Sequence, residues 1–155
     1  MPIILQANIN DDVVFGSNIV IVKPVNLYGC SIGDNCLIGP FVEIQKGVVV
    51  GEYTKVESHT FICELVTIGH HCFIGHGVMF INDVFQDGAP ARRNKEKWRR
   101  TVVGNYVSIG SNATLLPVII CDNAIIGAGA VVTKDIVKPG IYIGNPARLA
   151  KNSQL

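Results

Sequence analysis

Nowhere in its 155 residues does the chain hold the ~20 consecutive apolar residues that a bilayer-spanning helix needs, although its mean hydropathy is +0.36. It also lacks an excess of one charge. Thirteen Lys and Arg against twelve Asp and Glu leave +1, so no bulk field recruits nucleic acid or an anionic membrane surface. The N-terminus, Met1-Pro-Ile-Ile-Leu-Gln6, has no basic n-region and no small-residue cleavage site, which argues against a secretory signal. The five cysteines include no Cys-x-x-Cys pair. An odd count without an export signal reads as reduced thiols in a cytoplasmic protein. A length of 155 residues points to a single domain over 1–155.

Glycine and scattered apolar residues are abundant: 16 glycines and 48% apolar residues without a long apolar run. Their spacing is six. From Val14 the steps are Val20, Asn26, Ile32, Ile38, Ile44, Val50, Val56, Ile62, Ile68, Ile74 and Phe80, with only Asn26 breaking the series. Gly33, Gly39, Gly51, Gly69 and Gly75 follow inward slots directly. The rule resumes at Val103, Ile109 and Leu115, then slips by one to Ile120, Ile126 and Val132. Neither the helical period of 3.6 nor the strand period of 2 produces this. A chain that turns every six residues does. The reading is an all-β parallel β-helix with three flat faces, eighteen residues per coil and about six coils stacked at ~4.8 Å. Cys30, Cys36 and Cys72 share one phase of the repeat, and Cys63 and Cys121 occupy its usual glycine slot.

The period fails once, over residues 82–101. That excursion holds six of the thirteen basic residues (Arg92, Arg93, Lys95, Lys97, Arg99, Arg100) and the single tryptophan, Trp98. A long loop inside a compact repeat is usually functional or disordered, and clustered Arg suits phosphate or carboxylate recognition. An eighteen-residue register places Asn82 above Glu64 and Lys46, and His76 above Ser58. His59 and His76 then share one corner, Asn82 and Glu64 the next, and the Asn82 column continues through Pro117 to Lys134. Zinc is not expected, because His70, His71 and His76 have no Cys partner at ligand spacing. Gly127-Ala-Gly129 is no dinucleotide fingerprint, since Val132 stands where the third glycine belongs.

Taken with its hexapeptide period, the chain resembles the hexapeptide-repeat acyltransferases, and that resemblance implies a left-handed β-helix. Ile126-Gly-Ala-Gly-Ala-Val-Val-Thr-Lys-Asp-Ile136 and Gly144-Asn-Pro-Ala-Arg148 are similar to the coenzyme A end of these enzymes. By resemblance, Gly110, Ala128, Lys134 and Arg148 bind acetyl-CoA. His59-Thr-Phe-Ile-Cys-Glu64, Gly75-His-Gly-Val-Met-Phe-Ile-Asn-Asp83, Gly88-Ala-Pro-Ala-Arg92 and Ile109-Gly-Ser-Asn-Ala-Thr114 resemble the branch that N-acetylates nucleotide-linked 3-amino sugars. The nearest likeness is to enzymes acting on dTDP-3-amino-3,6-dideoxyhexoses for lipopolysaccharide or surface-layer glycans. The implied partners are that sugar, acetyl-CoA and two further copies in a homotrimer with sites between subunits. The resemblance implies no nucleic acid or membrane partner.

Sugar O-acetyltransferases of this superfamily carry a general-base histidine shortly after the position of Phe80. Here the residues are Asn82 and Asp83, and the excursion contains no histidine. A hydroxyl nucleophile needs a base, whereas a neutral amine attacks unaided, so the departure points to an amino acceptor. The expected roles are Asn82 orienting the amine through its side-chain carbonyl and the Gly110 amide holding the oxyanion. His59, Glu64, Asp83, Arg92 and Arg93 bind the sugar nucleotide, with His76 or Glu64 as reserve base. Three alternatives stand beside this reading: a UDP-2-acetamido-3-amino-glucuronate acceptor, a zinc protein like the γ-carbonic anhydrases, which share the fold, and a non-catalytic trimerisation module.

Overall fold

The computed structural model describes residues 8–92 and 94–150. Two-residue strands dominate, separated by four-residue corners, as a period of six requires. They assemble into three sheets that are parallel but for one strand. The first face begins at Val14–Phe15 and ends at Ile119–Ile120, in six strands. The third face, from Asn26–Leu27 to Val131–Val132, has six as well. The second has eight, because Ile141–Ile143 continues the coil and Arg148–Leu149 closes it antiparallel. The result is a β-solenoid of about seven turns, the arrangement of a left-handed hexapeptide-repeat β-helix. Among the described residues the only helix is a 3₁₀ turn, Lys95–Lys97, and none is long and apolar enough to cross a membrane.

From Ile32 to Val132 every inward slot read from the sequence is buried. The first coil differs. Val14 is 63% exposed and Val20 54%, whereas Leu27 is fully buried. Val14 pairs with Ser31 and Asn26 with Glu43, a step of seventeen, so the inward line there is Phe15, Ile21 and Leu27. The corner through Gly29 is one residue short. Asn26 is therefore not a broken slot but an outward residue in a shifted frame. Eighteen holds over the middle coils, seventeen returns beyond the excursion, and the excursion itself raises the step to 35.

The corners need a left-handed residue at their third position, where Asn or Gly is cheapest. On the corner between the first and second faces Asn18, Asn35 and Asn123 obey, but Tyr53, His71 and Tyr106 also adopt φ near +55°. These three compensate by stacking, at 4.7 and 5.0 Å between centroids. His70 packs edge-on against His71 and Tyr106, and its Nδ1 lies 3.0 Å from Nδ1 of His71.

All five cysteines are free. Burial pushes the Cys30 thiol up to about 11 and Cys63 up to about 12. The native state thus holds protons that an unfolded thiol, with its ordinary value near 9, releases. This contribution to stability is complete below about pH 9 and is lost as pH rises through the folded values. Urea unfolding midpoints should therefore fall between pH 9 and 11 (about two units above the unfolded thiol). The double substitution Cys30→Ala, Cys63→Ala should flatten that decline.

Candidate active site

The predicted site residues separate onto two corners. The turns from the second face to the third carry Ser58-His59, His76-Gly77, Gly110-Ser111 and Ala128-Gly129 on successive coils. His76 Nδ1 lies 2.9 Å from Ser58 Oγ, as the register requires, and its Nε2 lies 3.9 Å from Glu57. His59 stacks on Phe41 at 4.8 Å. Gly77 has φ +66°, a left-handed conformation that favours glycine, and a Cβ there would stand 2.5 Å from Oδ1 of Asn112.

Gly110 differs from expectation. Its N–H donates to the Ile126 carbonyl at 2.7 Å. It belongs to the sheet ladder and has no hydrogen left for an oxyanion. What Gly110 provides is room: a Cβ there would lie 2.4 Å from the nitrogen of Ala128. The Ala128 N–H itself has no acceptor among the described residues.

The turns from the third face to the first carry Gln45, Glu64, Asn82 and Lys134. Asn82 Nδ2 donates to the Glu64 carbonyl at 3.1 Å. Its Oδ1 has no donor among the described residues. The Asn82 carbonyl accepts from the Arg99 N–H at 2.9 Å, which ties the neck of the excursion. Asp83 is spent inside the loop: Oδ1 accepts from Phe85 N–H at 3.0 Å and Oδ2 from Ala91 N–H at 2.8 Å. It shapes the excursion and also lines the pocket beside it. Glu64 is also engaged, by Lys95 Nζ at 2.8 and 2.7 Å, and Lys95 lies 5.3 Å from the Trp98 ring centroid. Lys97 pairs with Asp87. Arg92 is exposed in a left-handed turn, and Arg93 lies outside the described residues.

Between this edge and the excursion lies a shallow pocket of about 360 Å³. Phe61, Phe85 and Trp98 form its aromatic walls, and Gln45, Asn82 and Asp83 supply polar atoms. The sequence reading singled out Trp98 and Asn82 but missed Gln45, Phe61 and Phe85. Gln45 had a signal: it falls in the column of Cys63 and Ile81, where a lone polar residue stands out. Lys134 is two coils above Asn82 in register, and Arg148 lies on the closing strand, where its guanidinium bonds the Ala147 carbonyl at 2.8 Å. Among the described residues no three His, Cys, Asp or Glu side chains form a metal-ligating group.

Two family models match: bacterial transferase hexapeptide (six repeats) over residues 29–64, and hexapeptide repeat of succinyl-transferase over 100–134. The bifunctional protein GlmU of Streptococcus uberis is 39% identical over 124 residues, covering 79% of this chain and 24% of that protein. The chain spans about a quarter of the length of the curated relatives it matches. In shape it resembles a mutant of AntD, an N-acyltransferase from Bacillus cereus crystallised with dTDP and coenzyme A (TM-score 0.79, 24% identity, 91% of this chain and 84% of that one). A perosamine N-acetyltransferase mutant from Caulobacter crescentus, bound to coenzyme A and GDP-perosamine, matches at TM-score 0.66 and 20% identity, covering 93% and 56%. Identities this low speak for the fold alone.

Proposed function

We propose, from the premise that this chain is a hexapeptide-repeat β-helix of the bacterial transferase kind, that it transfers acetyl from acetyl-CoA to an amine. The acceptor is the 3-amino group of a dTDP-linked 3-amino-3,6-dideoxyhexose. One observation carries this reading: Asn82 spends its NH₂ on Glu64 and keeps an unpaired carbonyl oxygen beside an aromatic-walled pocket. A carbonyl oxygen accepts a hydrogen bond from an amine but cannot deprotonate a hydroxyl. The neutral amine attacks the thioester carbon, the C–S bond breaks, and the departing thiolate takes the amine proton. Asn82 contributes orientation. The Ala128 N–H replaces Gly110 as the backbone donor to the oxyanion.

The aromatic walls suit the methyl group of a 6-deoxy sugar, and burying a carboxylate against them would be costly. This favours the dideoxyhexose over the UDP-glucuronate acceptor. His59, His76, Gly110 and Ala128 lie on one corner, and Asn82, Glu64 and Lys134 on another. The proposed site is therefore completed by two copies within a homotrimer, one corner from each, with Lys134 and Arg148 toward coenzyme A phosphates. Arg92 and Arg93 meet the nucleotide diphosphate. Thiol release with a panel of dTDP- and UDP-linked amino sugars tests the assignment. The dTDP-3-amino-3,6-dideoxyhexoses should turn over fastest, and a 6-hydroxyl analogue about tenfold more slowly, as one polar group against an apolar wall costs ~1–3 kcal/mol. Equal rates on both would remove the role given to the aromatic walls. Turnover confined to hydroxyl acceptors would overturn the amine assignment.

A further inference from the structure

We propose that Glu43 is a positioning residue for Asn82, acting through Gln45 and the Glu64 backbone; this rests on the reading of Asn82 given above. The four residues form a chain of directed hydrogen bonds up one edge of the solenoid. Tyr28 Oη donates to Glu43 Oε1 at 3.3 Å, and Gln45 Nε2 donates to the same oxygen at 2.9 Å. Gln45 Oε1 accepts from the Glu64 N–H at 3.2 Å. The Glu64 carbonyl accepts from Asn82 Nδ2 at 3.1 Å.

Direction is what matters here. A carboxylate can only accept, so Gln45 must turn its NH₂ toward Glu43 and its oxygen toward Glu64. Glu64 is then held from below through its N–H and presents its carbonyl above. A carbonyl also only accepts, so Asn82 must turn its NH₂ toward Glu64. The oxygen of Asn82 is thereby left for the ligand. Reversing the Asn82 amide would put two acceptor oxygens 3.1 Å apart. Tyr28 reinforces the base of the chain: burial, then the neighbouring Glu43 carboxylate, pushes its hydroxyl up to about 12, so it remains a donor at working pH. Glu43 touches no reacting atom. Through Gln45 it holds in place the Glu64 peptide whose carbonyl anchors Asn82, two coils away.

Glu43→Ala removes the acceptor that fixes Gln45. It should lower kcat about tenfold while leaving the KM for acetyl-CoA unchanged, the mark of a misplaced group. Glu43→Gln still offers Gln45 an acceptor oxygen and should recover most of the rate. Gln45→Glu keeps the size but removes the donor and should reproduce the Glu43→Ala loss. The side-chain ¹H–¹⁵N resonances of Asn82 should move in Glu43→Ala and hold in Glu43→Gln. Combined with Asn82→Ala, Glu43→Ala should cost nothing further, since both act on one group. Unmoved Asn82 resonances, or losses that multiply, would overturn the relay. Full activity in Asn82→Ala would instead overturn the reading of the site, and the Asn82 resonances would still decide the relay.

Discussion

Asn82→Ala should lower kcat/KM for acetyl transfer to the amino sugar about 100-fold, the scale of a lost positioning interaction at the reacting atom. Affinity for acetyl-CoA should hardly change, because of the coenzyme-facing candidates Lys134 stands two coils above Asn82, Ala128 lies on the other corner and Arg148 on the closing strand. Asn82→Asp is the more telling variant. It keeps the shape but turns a carboxylate oxygen toward the Glu64 carbonyl, where Nδ2 now donates at 3.1 Å. Two acceptors repel, so the side chain should rotate and the orienting oxygen should be displaced. If Asn82→Ala kept full kcat/KM while His76→Ala abolished it, proton removal by His76 would be the mechanism instead. Steady-state thiol release separates the two.

Phe80→Ala should destabilise the fold by about 4 kcal/mol, within the usual range for a buried aromatic deletion. Phe80 is fully buried and is the largest such side chain in the core. It sits in the inward column between Ile62 and Leu115, also fully buried, on the coil from which the excursion departs. Ordinary cores lessen such losses by collapsing into the void. Here the coils are held apart by ladder hydrogen bonds at ~4.8 Å, so the cavity stays open. For a chain of this size the loss corresponds to a fall in Tm of about 10 °C, readable by calorimetry. A loss under about 1 kcal/mol would mean that the coil deforms more readily than its register suggests.

The solenoid was legible because one aliphatic in six must point inward and little else in the sequence can imitate that. The first coil was misread for a local reason. Val14 and Val20 are outward aliphatics one residue ahead of the inward line, and they continue the period by coincidence. The vertical pairings Asn82–Glu64 and Ser58–His76 followed from register alone, since stacking in a coil is arithmetic. What the sequence hid depends on side-chain partners. Asp83 looks available until its two oxygens are found on Phe85 and Ala91 N–H groups. Glu64 looks like a ligand until Lys95 is found on it. The Gly110 amide looks free until the ladder claims it. The Asp83 and Glu64 pairings do not follow from spacing, because each is a choice among partners at similar range; the Gly110 bond does, since Gly33, Gly39, Gly51, Gly69, Gly75 and Gly104 make the same ladder bond.

The Arg99–Asn82 bond at the neck of the excursion separates two kinds of inheritance. Immediately below the loop the coils step by eighteen and immediately above it by seventeen. With its ends held together by this bond, the excursion can lengthen at only ~0.6 kcal/mol per doubling. Its tip is thus free to diversify without retuning the scaffold, whereas each scaffold corner answers to the coils above and below it. One loop of such a molecule can change while the framework beneath it keeps its register, much as an antibody domain varies its loops on a constant framework.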